Sequence, residues 1–178
     1  MKIIIATHFP FINANGMFYA KMFQSRSYVL ALSGAPKIDG MYIDESKQGF
    51  SFRPYKDLLL VGGGNSKTGE TKGDIERLKN FAQATFPESE IKYEWAAQDC
   101  ITIDEMPYIG QYSKNTPNLY VATGFNKWGF TSSMVAAQLF CDWFTHKNPP
   151  AHNIFSPSRN SCPRFVASTC FCAYLSIF

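Results

Sequence analysis

Residues 118–143 constrain this chain more tightly than any other stretch. Asn118-Leu119-Tyr120-Val121-Ala122-Thr123 is a short apolar run that reads as a buried strand. Met134 to Trp143 places apolar residues three and four apart, the spacing of a helix. Between them lies Gly124-Phe125-Asn126-Lys127-Trp128-Gly129-Phe130-Thr131-Ser132-Ser133, a turn bracketed by glycines and closed by hydroxyl residues. A strand, a glycine turn and a helix start leave several backbone N–H groups open and let a ligand approach the main chain closely. A tight strand-to-helix turn with its cap accounts for the same glycines and hydroxyls.

The rest of the chain supplies the setting. Lys2–Thr7 is a β-branched run, read as a strand that Pro10 and Gly16 break off. Met17–Arg26 is predicted as a short helix and Tyr28–Leu32 as a strand. Met41–Asp44, Phe50–Pro54 and Asp57–Val61 are short strands at hairpin spacing, which predicts an antiparallel sheet. From Gly73 to Thr85, Ile75, Leu78, Phe81 and Ala82 fall on one helical face before Pro87 ends the pattern. Ile91–Ala96 alternates like a half-buried strand. A second helix over Ser132–His146 is apolar all round and is expected between layers.

Composition excludes several classes. The 178 residues carry a net charge of +3 with mixed signs and no basic run, so neither nucleic acid nor membrane is implied. Three isoleucines are too short a run for a secretory signal, so the cytoplasm is the expected compartment. Cys100 and Cys141 sit in apolar patterns, as buried free thiols do. Cys162, Cys170 and Cys172 lack the paired spacing of a zinc site, and no metal is expected. Gly62–Gly69 lacks the Gly-Lys-Ser/Thr of a phosphate loop and reads as a flexible glycine turn. Asp104 and Glu105 are neighbours that a strand would point to opposite faces, so Asp104 is read as shaping the turn before Pro107. His8 reads as a turn residue, and His146 and His152 as exposed linker beside Pro149-Pro150.

The Gly124–Ser133 segment resembles the C-terminal flavin-contacting segment of FAD-dependent oxidoreductases of the glycine oxidase, sarcosine oxidase and D-amino-acid oxidase type. Three other segments support the resemblance. Lys2–Thr7 is similar to the strand returning to the FAD domain. Ser51-Phe52-Arg53-Pro54 with Leu58–Gly63 is similar to the substrate-domain strands, and Asp99–Gly110 to the approach to the last FAD-domain strand. The likeness runs in order from residue 1 to about 159. It implies an α/β (α+β) chain: an antiparallel-rich substrate-domain sheet with flanking helices, plus the last strand and helix of a truncated Rossmann-like FAD domain. The implied division is 1–15 for the returning strand, 16–98 for the substrate domain, 99–159 for the C-terminal FAD-domain segment and 160–178 for an unmatched apolar, cysteine-rich tail.

The resemblance also implies roles. Thr7, Gly124, Lys127, Trp128, Gly129, Phe130 and Thr131 are the expected cofactor contacts, with the N–H groups of Gly129–Thr131 near the flavin pyrimidine edge. Arg53 is the expected partner of a substrate carboxylate, although a surface arginine on an edge strand fits the same pattern. Tyr55 and Trp95 are expected as an aromatic wall of the substrate cavity, with plain core the alternative. The family's Gly-x-Gly-x-x-Gly strand turn, which holds the cofactor pyrophosphate, does not occur in the sequence. The chain is therefore expected to be the C-terminal part of a larger amine or amino-acid oxidoreductase. It would depend on an N-terminal FAD-binding half or on self-association, and alone it would be inactive and would not hold FAD tightly. A non-catalytic assembly subunit, or a degenerate fragment keeping the sheet, is the alternative. Some relatives continue into a Rieske domain, but the tail has no Cys-x-His pair; a reading-frame change or a C-terminal strand are the two accounts of it.

Overall fold

A computed structural model describes residues 1–13, 15–45, 49–69, 74–145 and 154–159. The chain is mixed α/β and divides into two compact units, Gln24–Asp99 and a second made of Met1–Phe23 with the residues from Cys100 onward. The predicted tail and the histidines at 146 and 152 lie outside the described residues.

The unit Gln24–Asp99 is built on a five-stranded sheet. Its strands are β2 (Met22–Ser33), β3 (Tyr42–Ile43), β4 (Ser51–Tyr55), β5 (Leu58–Lys67) and β6 (Glu90–Thr102), in the order β3-β4-β5-β2-β6. β2, β4 and β5 pair antiparallel, with Leu30 and Phe52 both opposite Val61. Leu30, Leu32, Leu59 and Val61 cluster with Leu78 and Ala82 of helix α2 (Asp74–Thr85). Phe50 and Phe81 stack with ring centroids 4.0 Å apart, and Phe52 meets Phe86 edge-on. This is the face that the 3.6-residue spacing of α2 predicts.

Three expectations are corrected in this unit. The helix predicted over Met17–Arg26 shrinks to α1 (Phe18–Lys21), and β2 already begins at Met22. Pairing of Ser25 and Arg26 with Lys67 and Ser66 claims those residues for the sheet. Gly62–Lys67 is not a flexible turn but the second half of β5. A Cβ at Gly62 would lie 2.6 Å from the Ser51 hydroxyl, and one at Gly63 2.6 Å from the Phe50 ring, so close side chains rather than turning require glycine there. Gly64, at φ +67°, sits at the bulge where β5 carries one more residue than β2 between Arg26 and Tyr28. Finally, β6 is not half-buried over Ile91–Ala96: as an edge strand it leaves Tyr93 and Trp95 exposed.

The other unit contains a three-stranded sheet in the order β1-β8-β7. Here β1 is Ile3–Ile5, β7 is Tyr108–Gln111 and β8 is Leu119–Thr123. β1 runs parallel to β8 with Ile5 opposite Val121, whereas β7 runs antiparallel to it. One face carries Ile5, Tyr108 and Val121 with Phe18, Met22, Cys100 and Tyr112. The other carries Ile109 and Ala122, packed against Ala136, Leu139 and Phe140 of helix α3 (Gly129–Phe144). Helix α3 is not enclosed between layers: Phe130 is 94 % and Met134 72 % exposed. Cys141 lies on its exposed side too, so of the two expected buried thiols only Cys100 is buried.

Candidate functional site

Parallel pairing brings the ends of β1 and β8 out at one end of their sheet. With Ile5 opposite Val121, Thr7 lies level with Thr123, just before Gly124. Such carboxyl ends are where open α/β sheets bind ligands. The Thr123 hydroxyl donates to the His8 carbonyl, and Thr7 Oγ1 donates to Phe9 O at 3.0 Å, so the first loop is tied across the second strand. His8 is a turn residue at φ +63°.

Gly124 is fixed by two demands. Its φ is +67°, and a Cβ would fall 2.3 Å from Thr102 Cγ2. Asn126, at φ +53°, then pins the turn through both its backbone and its side chain. Its N–H donates to Cys100 O (3.1 Å), its Nδ2 donates to Glu105 O (2.9 Å), and its Oδ1 accepts from Thr102 N (3.0 Å). Sequence reading passed over Asn126. The available signal was an asparagine inside a glycine-bracketed turn, since asparagine tolerates the left-handed region and bonds neighbouring backbone.

Helix α3 begins at Gly129, three residues before the expected Ser132. Trp128 occupies the cap without a side-chain cap bond, and Ser132 N–H makes the first helical bond, to Trp128 O at 2.9 Å. The N–H groups of Gly129, Phe130 and Thr131 have no partner among the described residues. The nearby hydroxyls do not fill the gap, because Thr131 Oγ1 donates to Trp128 O (3.2 Å) and Ser133 Oγ to Phe130 O (2.8 Å). Gly129 has no positive φ, and a Cβ there would meet nothing within 4 Å. Neither backbone strain nor neighbouring atoms therefore demand glycine. The surface offers three aligned donors, a helix N-terminus and room for a planar group to approach. Lys127, Trp128 and Phe130 surround it as exposed side chains.

A second polar anchor steadies the same unit. Arg159 Nε and Nη2 donate to the two carboxylate oxygens of Asp104 at 2.7 and 2.8 Å, with both side chains 13 % exposed. Arg159 also donates to Met106 O (2.5 Å) and Pro107 O (2.9 Å), and lies 3.8 Å from the Tyr108 ring centroid. Burial pushes the Asp104 carboxyl up. The Arg159 hydrogen bond and charge, with the Met106 N–H, outweigh that and hold it below its ordinary value. Lys21 donates to Pro157 O at 2.8 Å, and burial followed by the Arg159 charge lowers its pKa against the pull of Asp104. Asp104 does bond the Met106 N–H, as a turn-shaping residue should, but its arginine partner was not foreseen. A buried guanidinium 55 positions away leaves no mark in local pattern.

The expected substrate residues lie in Gln24–Asp99. Arg53 and Trp95 line one cleft of about 460 Å³, together with Val29, Met41, Tyr42, Ile43, Leu60 and Gly62. Tyr55 is not part of that lining and is half exposed two residues further along β4. Among the described residues no group of three or more metal-ligating side chains occurs, and no helix is long and apolar enough to cross a membrane.

Comparison with known proteins places this geometry. Over 167 residues the chain is 42 % identical to the putative Rieske 2Fe-2S iron-sulfur protein YhfW of Bacillus subtilis, covering 88 % of this chain and 32 % of that protein. Glycine oxidase from Bacillus cereus superposes with a TM-score of 0.67 at 20 % identity, over 90 % of this chain and 46 % of that one. L-amino acid deaminase from Proteus vulgaris gives 0.65 at 23 %, over 89 % and 42 %. The chain thus spans about a third of the curated relative and under half of these solved enzymes. The family model described as FAD dependent oxidoreductase matches residues 3–143, which includes both the sheet of Gln24–Asp99 and the Gly124–Thr131 loop, and this protein belongs to that family.

Proposed function

We propose that this chain supplies the flavin-edge loop and the substrate sheet of an FAD-dependent oxidoreductase acting on an amine or amino acid. Sequence outside these residues would furnish the pyrophosphate-binding portion. The observation that carries the reading is the trio of open N–H groups at Gly129–Thr131 beside a glycine that nothing else requires. A bound flavin would supply the hydride-accepting chemistry toward the carbon bearing the amine. The chain's own part is to offer donors and a helix N-terminus where negative charge grows on the ring. Thr7, Gly124, Lys127, Trp128 and Phe130 complete the proposed cofactor contacts, and Arg53 with Trp95 the substrate contacts. Residues 1–15 and 99–159 would belong with the cofactor, and 16–98 with the substrate.

FAD titration followed by flavin absorbance and fluorescence tests the reading, on these residues alone and on a version extended to carry a Gly-x-Gly-x-x-Gly half. Tight binding is expected only in the extended form. Gly129→Val is expected to weaken it at least tenfold. Tight binding by the short chain, or indifference to Gly129→Val, would overturn the proposal.

The likeness to a putative Rieske protein supports an iron–sulfur centre outside residues 1–159 as the electron acceptor. Substrate added anaerobically to the full-length protein should then produce the EPR signal of a reduced cluster. Bleached flavin beside an unchanged spectrum removes the cluster from the route.

A second reading, a non-catalytic assembly subunit, has one observation in its favour. Ile3, Ile4, Phe130 and Met134 leave apolar surface exposed in one unit, as an interface does. Extended protein that binds FAD but turns over no amine would favour it.

A further inference from the structure

We infer that the cleft on the sheet of Gln24–Asp99 selects carboxylates bearing a bulky apolar group, such as large apolar amino acids, over glycine-sized ones. This rests on the reading of Arg53 as a substrate contact and extends it to a substrate class. Strand register defines the floor. Leu60 lies opposite Arg53, and Gly62 opposite both Val29 and Ser51, in rows that alternate with those holding the α2 core. Arg53 is the single charged residue of the lining, and no hydrogen bond or ion pair engages its side chain among the described residues. An exposed guanidinium with no side-chain partner, set beside apolar walls, pairs with a carboxylate in two-pronged geometry.

The walls determine the rest of the ligand. Met41 is 77 %, Tyr42 54 %, Ile43 81 % and Trp95 44 % exposed, so large apolar side chains converge on one open cleft beside a lone cation. Its 460 Å³ holds roughly fifteen waters at their liquid volume. Glycine displaces few of these and leaves the walls wet, whereas a branched or aromatic side chain covers them. No acidic residue appears in the lining among the described residues. The substrate amine therefore finds no counter-ion there and remains the reacting end, directed out of the cleft.

Calorimetric titration of the chain with L-phenylalanine, glycine and phenethylamine tests the inference, since the second lacks the bulk and the third the carboxylate. L-phenylalanine is expected to bind at least tenfold more tightly than either. Arg53→Met should reduce it to the phenethylamine level, and Arg53→Lys should restore only part of the difference. Ile43→Ser should weaken L-phenylalanine several-fold while leaving glycine unchanged. Both positions are exposed, and circular dichroism confirms that the variants fold. Glycine binding within threefold of L-phenylalanine, an unchanged affinity in Arg53→Met, or no binding of any ligand overturns the inference. FAD titration of the extended form, run beside these titrations, separates the readings. Flavin binding without selectivity for L-phenylalanine sinks this inference alone, and selectivity without flavin binding by the extended form sinks the cofactor proposal alone.

Discussion

The two units hold their shape by different means. In Gln24–Asp99, leucines, valine and phenylalanines pack between a five-stranded sheet and α2. The other unit has two apolar clusters of its own and adds backbone exceptions and polar pins to them. Four of the five described non-glycine residues with positive φ fall there, at His8, Met17, Glu105 and Asn126. Asn126 and the Asp104–Arg159 pair tie its loops together. Apolar packing tolerates exchange of side chains of similar volume. A pinned loop does not, because each bond needs a particular atom at a particular place. The unit that carries the open N–H groups of Gly129–Thr131 is thus the one whose loops are specified atom by atom.

The sharpest test of that contrast is a pair of changes at Leu78, which is fully buried. Leu78→Ala is expected to cost about 4 kcal/mol and Leu78→Met under about 1.5 kcal/mol in urea unfolding. A Leu78→Met variant as damaged as the alanine would mean that this core is also specified atom by atom.

Next come two glycines in one loop. Gly124→Ala combines a left-handed backbone with a contact to Thr102 and is expected to cost about 3 kcal/mol. Gly129→Ala should leave stability within about 0.5 kcal/mol, or raise it slightly, because the site is helical and open. Its effect should appear in FAD affinity of the extended protein instead. Equal unfolding midpoints for the two variants would erase the distinction between the glycine that the fold requires and the one that it does not.

Asp104→Asn is expected to cost about 1–3 kcal/mol at neutral pH, as loss of a charged hydrogen bond does. The sign in pH follows from the depressed folded pKa of Asp104. The folded carboxylate binds its proton less readily than the unfolded one. The stability it contributes is therefore present above the unfolded value, near 4, and is lost as pH falls through the folded value. The wild-type and Asp104→Asn urea midpoints should converge as pH falls below the unfolded value of about 4. Parallel curves would show that Arg159 acts only through packing.

The smallest effect concerns the exposed Lys79–Glu94 pair at 2.8 Å. Glu94→Gln should leave the unfolding midpoint within error in 1 M salt, since exposed ion pairs are screened. A clear loss there would give the apolar unit a polar pin of its own.

How much of this was legible depended on whether the cause was local. The α2 face, with Leu78 and Ala82, follows from periodicity, and the strand–turn–helix around Gly124 from glycine placement. Gly62 and Gly63 misled because a glycine that makes room for Ser51 or Phe50 looks, in sequence, like one that turns the chain. The start of β2 at Met22 is decided by pairing with β5, forty residues away, which overrides helix propensity near Met17–Arg26. Arg53 and Trp95 line one cleft, whereas Tyr55 lies outside its lining because two residues along a strand carry a side chain about 7 Å away. Asn126 and Arg159 stayed hidden, as their partners are set by three-dimensional proximity.

The parallel pairing of β1 with β8 has a temporal consequence. Ile3 meets Leu119, so the first strand cannot find its partner until more than a hundred further residues have been synthesised. Contacts of such separation are slow to close from an open coil. The intervening unit shortens the search, since β2 and β6 are neighbours in its sheet and bring residues near 23 and 100 together. The sheet of Gln24–Asp99 would then condense first on the ribosome, with Ile3–Ile5 held waiting as an unpaired apolar strand. Chaperone engagement during synthesis should concentrate on that short isoleucine run.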